Sequence, residues 1–267
     1  MSKKHKKSSR VKVVSLGSTE SGKSCVIKRY CEKRFVTKYM PTVGVDFGVT
    51  KVVVDDLELK VNLFDLSGHP AFKEVRNEFY KDTQGVLLVY DVTNKASFEA
   101  LDSWFKEVKQ YIPDPIDISR IVFILCANKI DKKNSRTVDF VKGREWAQKH
   151  GFYYFETSSQ TGDGINEAFE MLFKGLTQVI ETGERPKNVA ATLGYTKEQM
   201  DAIQKLKTCK DNYSRLGLSY GASQEDVSKS YRKLAKLLHP DKCEIPDSED
   251  AFKILVAARD ALINNGK

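Results

Sequence analysis

The sequence predicts an α/β domain followed by a small all-α domain. The length of 267 residues predicts one or two domains. In the first part, short apolar runs typical of buried strands are followed by polar loops and helical stretches. From about residue 211 onward, only helical patterns remain. With 40% apolar residues the chain can form a core, and its longest apolar runs are too short to span a bilayer.

The first element is a strand, a glycine-bounded loop and a helix start. The apolar run Val11–Leu16 precedes GSTESGKS, and a helix-like stretch begins near Lys23. Two glycines let successive N–H groups point at an anion, and the helix N-terminus adds partial positive charge. An ordinary glycine turn is the alternative, but the Lys-Ser ending in this context favours phosphate binding, with Lys23 on the outer phosphates and Ser24 on Mg²⁺. The predicted contacts of a nucleoside triphosphate are Gly17, Ser18, Thr19, Glu20, Ser21, Gly22, Lys23 and Ser24.

A second segment indicates which base is bound. The apolar run Ile121–Cys126, typical of a buried parallel strand, leads into NKID, and a later turn, ETSSQ, follows strand-like Tyr153–Phe155. A carboxylate can accept two hydrogen bonds from guanine, whereas adenine lacks that donor pair, a difference of about 10⁴-fold. The sequence therefore predicts GTP or GDP, held by Asp131, braced by Asn128 and Lys129 beside Ile130, with the turn at Ser158 and Ser159 offering N–H groups to the guanine oxygen.

On these motifs, the first ~180 residues resemble the Ras-superfamily small GTPases, a class of P-loop proteins. The Rab branch is the nearest, because TVGVDF at Thr42–Phe47 resembles its switch segment. The resemblance implies a mostly parallel six-stranded sheet flanked by helices. It also implies that Phe35 stacks on the base and that Thr42, in switch I, binds Mg²⁺ and senses the γ-phosphate.

The resemblance also assigns the motif DLSGH, which forms switch II. It implies that Asp65 is linked to Mg²⁺ through water and that the Gly68 N–H contacts the γ-phosphate, with Leu66 and Ser67 in the same nucleotide-binding motif. Both switches are expected to be ordered with GTP and looser with GDP, and to bind effector proteins.

The departures from the family pattern concern catalysis. His69 replaces the usual Gln that orients the attacking water, and imidazole cannot donate and accept from one planar end group. Pro70 replaces a usual Glu, and Thr19 and Glu20 stand where relatives carry smaller residues. Nucleotide binding is expected to survive. Hydrolysis is expected to fall below the ~10⁻⁴ per second typical of the class; the alternative is that these are tolerated variants and hydrolysis is slowed but intact.

Charge and cysteine content suit a reducing compartment. The five cysteines are scattered, no pair has close metal-type spacing, and no signal peptide is present. The formal charge is +8, with its densest cluster in the basic tail, residues 1–10. That tail is either a weak nuclear-import signal, a membrane-surface contact or a solvated disordered segment. Because the basic residues are not interleaved with aromatics, nucleic-acid binding is not expected.

The C-terminal sequence differs from that of Ras and Rab proteins. It ends INNGK without a terminal cysteine, and Ser2 replaces the glycine that myristoylation needs, so no lipid anchor is encoded. The expected location is cytoplasmic or nuclear.

Between the GTPase domain, 11–181, and the C-terminal domain, 211–267, the sequence predicts a linker at 182–210. TGERPK stops the preceding helix, and Thr196 and Gln199 form a capping box that opens a short amphipathic helix. Since the linker is not rich in glycine and serine, it is expected to pack partly against the GTPase domain; a free tether is the alternative.

The last ~57 residues predict three helices with a marginal core, which the linker or the GTPase domain is expected to help support. A short helix ends near Gly217; Ser223 caps the next helix with Asp226 as its partner. In that helix Val227, Tyr231, Leu234 and Leu238 form one apolar stripe, while its basic residues fall largely on another face. A third helix begins near Ser248, with Phe252, Leu255, Ala258 and Leu262 pointing inward.

Helices closed by a His-Pro-Asp loop, the first with a basic outer face, resemble a J domain, the module that recruits Hsp70. The resemblance implies that the loop and the basic face engage an Hsp70-type chaperone: Lys229, Arg232, Lys233, Lys236, His239, Pro240 and Asp241. A chance turn, or a metal site with Cys243, is a weaker interpretation. Two functions therefore compete: a GTP-controlled switch that brings Hsp70 to its effectors, and a predominantly GTP-bound signalling or trafficking scaffold with a secondary J domain.

Overall fold

The computed structural model describes residues 7–38, 40–112, 115–186, 197–239 and 248–264; of these, the side chains of 115–117, 197, 200 and 264 are not described. Pro240, Asp241, Cys243, Thr196 and most of the basic tail therefore lie outside the described residues. The chain divides into two compact units, Met1–Val189 and Ala190–Lys267.

The first unit is built on a six-stranded sheet. Its strands are β1 (Lys7–Leu16), β2 (Val45–Val54), β3 (Leu57–Leu66), β4 (Gly85–Asp91), β5 (Val122–Asn128) and β6 (Tyr153–Thr157). Their order is β2-β3-β1-β4-β5-β6, and the β2–β3 pair is antiparallel while the other described pairs are parallel. The predicted mostly parallel six-stranded sheet is confirmed.

Helices connect these strands. They are α1 (Lys23–Glu32), α2 (Lys73–Asn77), α3 (Lys95–Glu99), α4 (Leu101–Tyr111), α5 (Pro115–Arg120), α6 (Phe140–His150) and α7 (Ile165–Thr182), with 3-10 turns at Pro70–Phe72 and Lys133–Ser135. Every residue of β4 and β5 is buried, as expected for central parallel strands covered on both faces. Helix α7 buries Phe169, Leu172 and Leu176 in the core.

The edge strand β2 differs from the central strands. It alternates between exposed and partly buried residues, and Phe47, Val49 and Val53 are exposed. The central strand β1 begins at Lys7, four residues earlier than the sequence suggested, and Lys7 pairs with Leu57. Residues 7–10 of the predicted tail therefore belong to the sheet.

The second unit is helical. It contains α8 (Lys197–Thr208), α9 (Asn212–Leu216), α10 (Gln224–Leu237) and α11 (Ser248–Asn264). Buried apolar residues from all four helices and the end of α10 form its core: Ala202, Ile203, Leu206, Leu216, Val227, Leu238, Ala251, Leu255 and Ala258. Phe252 and Leu262 are partly buried.

The predicted helix ends in this unit are found. Ser223 Oγ accepts from the Asp226 N–H at 3.1 Å and donates to its carboxylate at 2.7 Å. Gly217, with φ +73°, ends α9.

Helix α8 belongs to the second unit. Of the two expectations for the linker, packing against the GTPase domain and support of the C-terminal core, the structure bears out the second, since Ile203 and Leu206 of α8 are fully buried in that unit. The physical reason is that the C-terminal helices are too short to enclose a core, and α8 supplies the missing apolar face.

Across the described part of the chain, no helix has the length and apolarity to cross a membrane.

Candidate functional site

A cavity of about 670 Å³ opens in the first unit, at the edge of the sheet where β1, β3, β5 and β6 end. Because carboxyl ends of parallel strands share one edge of a sheet, the loops that follow them meet there. The residues that line it are 19–20, 22–25, 28, 35–38, 40–43, 67–69, 71–72, 128–129, 131–132 and 159–160. The two motifs predicted to bind phosphate and base therefore line one space.

Two glycines give the phosphate loop its shape. Gly17 has φ +136° and Gly22 has φ +95°, both in the region that favours glycine. A Cβ on Gly17 would lie 2.1 Å from the Val89 carbonyl oxygen, and one on Gly22 would lie 2.2 Å from Asn128 Nδ2. The loop can therefore curl tightly only because both positions lack a side chain.

Lys23 lies within this loop. Its ammonium donates to the carbonyls of Gly17 at 2.9 Å and Ser18 at 3.0 Å. Burial lowers the pKa of Lys23 to about 8. A phosphate beside the ammonium would oppose this effect, because an opposite charge favours the protonated form.

Three oxygen-bearing side chains converge next to Lys23. Ser24 Oγ donates to Asp65 Oδ2. Thr42 Oγ1 lies 3.0 Å from Ser24 Oγ and donates to the same carboxylate oxygen at 3.3 Å. On the other side, Ser15 Oγ donates to Asp65 Oδ1 at 2.7 Å. No group of three His, Cys, Asp or Glu side chains suited to a metal is present among the described residues. Two hydroxyls and one carboxylate are, however, the hard oxygen donors that suit Mg²⁺ when phosphate oxygens complete its coordination.

Asn128 joins the phosphate and base loops. Its Nδ2 donates to the Ser21 carbonyl at 3.0 Å, and its Oδ1 accepts from the Ser159 N–H at 3.2 Å and from Thr157 Oγ1 at 3.3 Å. It is 1% exposed. The bracing role expected of Asn128 is thus present in the geometry.

The predicted base-reading residue lies at the mouth of the same cavity. Asp131 Oδ1 accepts from Ser158 Oγ at 2.6 Å. Lys129, beside it, pairs with Asp91 Oδ2 at 2.7 Å. Burial alone would raise the pKa of Asp91, but Lys129 and the hydroxyl and N–H of Thr93 together lower it, so this carboxylate is held ionised.

The remaining predicted residues divide between cavity and core. Phe35, Ser67 and Gly68 line the cavity. A Cβ on Gly68 would lie 2.5 Å from the Gly17 carbonyl oxygen, so this backbone packs directly on the phosphate loop. By contrast, Leu66 is fully buried in the core, and the Ile130 N–H donates to the Thr157 carbonyl at 3.3 Å. These two shape the motifs without lining the cavity.

At the position predicted for catalysis, His69 already makes a hydrogen bond within its own turn. His69 lines the cavity and is exposed, and its Nδ1 accepts from the Ala71 N–H at 3.2 Å as cap of the 3-10 turn that starts at Pro70. Thr19 and Glu20 also line the cavity, and Glu20 has φ +63°, a conformation uncommon outside glycine. The unusual residues noted in the sequence thus cluster on one side of the site.

Sequence reasoning missed a clamp on switch II. Arg76, 3% exposed, donates to the carbonyls of Ser67 at 3.0 Å and His69 at 2.9 Å, and to Glu107 at 3.0 Å. Tyr80 donates to the same carboxylate at 2.7 Å. The partners are far apart in the chain and follow no periodic pattern, so no sequence signal marked them.

A second missed pair supports the base loops. Arg136 donates to both carboxylate oxygens of Glu156, at 2.7 and 2.9 Å. Tyr154 Oη donates to the same carboxylate at 3.1 Å. The position of Glu156 at the end of β6 was a usable signal, because polar side chains at strand ends lie near the cavity.

The second unit presents its predicted docking residues to solvent. Lys229, Arg232, Lys233 and Lys236 are all exposed along α10. His239 follows this helix, is exposed, and lies edge-on to Phe252 with ring centroids 6.3 Å apart. The basic residues of α10 and His239 are therefore all open to solvent; Pro240 and Asp241 lie outside the described residues.

Comparison with known proteins identifies a family for each of the two units. The Ras family matches residues 12–178, and the DnaJ domain matches residues 211–267. The chain is 57% identical over 261 residues to DnaJ homolog subfamily C member 27 of Rattus norvegicus, covering 98% of this chain and 96% of that protein. Its counterpart in Danio rerio is 56% identical over 265 residues, with 99% and 97% covered.

Proposed function

Because this chain belongs to the Ras family and carries a C-terminal DnaJ domain, we propose that it is a guanine-nucleotide switch that recruits an Hsp70-type chaperone. The observation that carries the proposal is the coexistence of a nucleotide-shaped cavity in the first unit with an exposed basic helix ending at His239 in the second.

The cavity supports guanine binding with Mg²⁺. Asp131 would accept the guanine donors, Lys23 would exchange its loop carbonyls for the outer phosphates, and Ser24 and Thr42 would turn their hydroxyl oxygens to the metal. The metal would neutralise phosphate charge when bound. Each of these side chains is already in place and held by a protein partner that the ligand would replace.

A nucleotide titration tests this assignment. The wild-type protein should prefer GTP to ATP by about 10⁴-fold. Asp131→Asn should weaken GTP binding and admit xanthine nucleotides, while Asp139→Asn, an exposed carboxylate at the start of α6, should change neither. Equal wild-type affinity for ATP and GTP would rule the assignment out.

We further propose that intrinsic hydrolysis is slow. His69 Nδ1 is occupied by the Ala71 N–H, so the ring keeps only Nε2–H, a donor, for a water molecule. Positioning an attacking water requires an acceptor as well. Thr19 in the same cavity adds a side chain where an incoming arginine would need space.

Single-turnover hydrolysis measures this effect. His69→Gln should raise the rate of GTP hydrolysis. Because His150 does not line the cavity, His150→Gln should leave that rate unchanged. A wild-type rate equal to that of an ordinary Rab protein would show that another group positions the water.

The second unit supports chaperone recruitment. In the full-length protein, His239→Gln should abolish stimulation of Hsp70 ATP hydrolysis while helix content stays unchanged, because the side chain is exposed. Lys253→Met on α11, whose partner Asp250 is also exposed, serves as a control that should retain stimulation. Retained stimulation in His239→Gln would reject the loop assignment.

The exposed switch surface supports binding of effector proteins. Met40 and Val43 of switch I are 72% and 76% exposed, and Val75 of α2 is 42% exposed. Apolar side chains this exposed are typical of protein-binding surfaces.

The second candidate function is a predominantly GTP-bound scaffold, favoured by His69 and Thr19. Stimulation of Hsp70 by full-length protein loaded with GDP or a GTP analogue separates the two. Different rates would support a GTP-controlled recruiter and equal rates two independent modules; no stimulation in either state would favour the scaffold.

A further inference from the structure

The helix that precedes the DnaJ match is built into the second unit. The match begins at residue 211, whereas α8 spans Lys197–Thr208. Ile203 and Leu206 are nevertheless fully buried, and Ala202 is 8% exposed. Helix α8 therefore contributes to the core that holds the other three helices.

One polar residue of α8 reaches the end of α10. Gln199 is only 7% exposed, and its Nε2 donates to the Leu237 carbonyl at 3.1 Å. Leu237 is the last residue of α10. The final carbonyls of a helix have no partner within it, so this amide pairs a partly buried carbonyl that the helix itself leaves unpaired.

The bond lies two residues before the loop histidine. Leu238 is fully buried and its N–H donates to the Leu234 carbonyl at 2.9 Å, which fixes the chain as it leaves the helix. The next residue, His239, lies edge-on to Phe252 of α11. The start of the loop is thus fixed by α8 through Leu237 and contacted by α11 through Phe252.

We infer that Gln199 is a positioning residue for His239, so that the working chaperone-recruiting module begins at α8 and not at residue 211. This inference rests on the proposed recruitment of Hsp70. The competing interpretation is that α8 stabilises the unit only through its apolar side chains. The two interpretations make different predictions for a variant in which only the Gln199 amide is replaced.

The test compares two variants of the full-length protein. Gln199→Met keeps the side-chain volume but removes the donor, while Ile203→Val shortens a buried side chain of the same helix without touching Leu237. We would measure amide hydrogen exchange at Leu238 by NMR or by overlapping peptides. In parallel, Hsp70 ATPase stimulation would be titrated to separate its maximum from the concentration that gives half of it.

Gln199→Met should speed exchange at Leu238 about fivefold and lower maximal stimulation by a similar factor, as expected for one buried hydrogen bond. The half-maximal concentration should stay unchanged, because the basic face of α10 is intact. Ile203→Val should change neither the exchange rate at Leu238 nor the maximal Hsp70 stimulation. Restoring a donor with Gln199→Lys should recover part of the stimulation.

Unchanged exchange at Leu238 in Gln199→Met would overturn the inference, as would equal losses in both variants. If the wild-type protein stimulates no Hsp70, the proposed function fails instead. The exchange measurement would still decide whether Gln199 holds the end of α10.

Discussion

Polar side chains that line the cavity of the first unit are held by that unit, whereas the basic side chains of α10 project into solvent. Lys23 and Asn128 line the cavity, are buried, and each bonds to backbone carbonyls of the 17–24 loop. Lys229 and Arg232 are exposed on a helix whose opposite face forms the core.

This difference predicts how substitutions act in the two units. Replacing one of these cavity side chains in the first unit should remove a hydrogen bond that stabilises both the fold and the site, because the same atoms serve both. In the second unit the docking residues touch solvent, so binding can be lost while the fold remains. The predictions below test that contrast, in order of decreasing expected effect on the free energy of unfolding.

The largest effect is expected at the switch II clamp. Arg76→Met should lower the free energy of unfolding of the first unit by about 3–5 kcal/mol, because it leaves the buried Glu107 carboxylate without its cation. Both tryptophans of the sequence, Trp104 and Trp146, lie in this unit, so fluorescence during urea unfolding reports on it selectively.

Lys95→Met is the matched control. It breaks an exposed ion pair with Glu99 and should cost less than about 0.5 kcal/mol. Equal losses in the two variants would show that the clamp is not a buried charge pair in solution.

The next effect separates backbone strain from steric overlap. Gly22→Ala should cost about 2–4 kcal/mol and abolish nucleotide binding, since its Cβ would overlap Asn128 Nδ2 at a φ of +95°. Gly183 has φ +76° and no atom within 4 Å of an added Cβ, so Gly183→Ala should lose only the free energy due to backbone strain. Nucleotide binding by Gly22→Ala at wild-type affinity would mean that the Asn128 brace is dispensable.

A smaller effect is expected from His150, which packs among aromatic rings. Burial lowers the pKa of His150 below 6.5. The unfolded chain therefore binds a proton at His150 more readily than the folded chain does. The free energy of unfolding should fall as the pH drops through about 6.5. Fluorescence-monitored unfolding at several pH values should show a weaker acid dependence in His150→Gln, and an identical dependence would remove His150 as the cause.

No loss of stability is expected from reversing charge on α10. Arg232→Glu with Lys233→Glu should leave the helix content and melting of the second unit unchanged, since both side chains are exposed. Hsp70 stimulation should nevertheless require higher protein concentrations and lose its salt dependence. A comparable loss of stability would contradict the separation of docking and folding in this unit.

Sequence reasoning recovered the parts of the site that local rules determine. Gly17, Gly22 and Lys23 were recognisable because a strand, a tight loop and a helix start must follow one another within a few residues. The Ser223 cap and the end of α9 at Gly217 depend on the same short-range rules and are confirmed.

What sequence reasoning missed depends on long-range packing. The pairing of Arg76 with Glu107, and of Arg136 with Glu156, is set by which helix or strand lies next to another. The neighbour of helix α8 was left open for the same reason: its apolar stripe shows that it must pack, but not against what.

The central position of β1 has a consequence for how the chain folds as it is synthesised. Val13 pairs with Leu63 on one side and Gly85 on the other, so β1 leaves the ribosome before either of its partner strands. Until then its apolar residues, Val11 to Leu16, have no sheet to enter. Translation that pauses before β4 would leave a nascent chain prone to aggregation, whereas the helical unit, with its short-range contacts, can fold soon after it emerges.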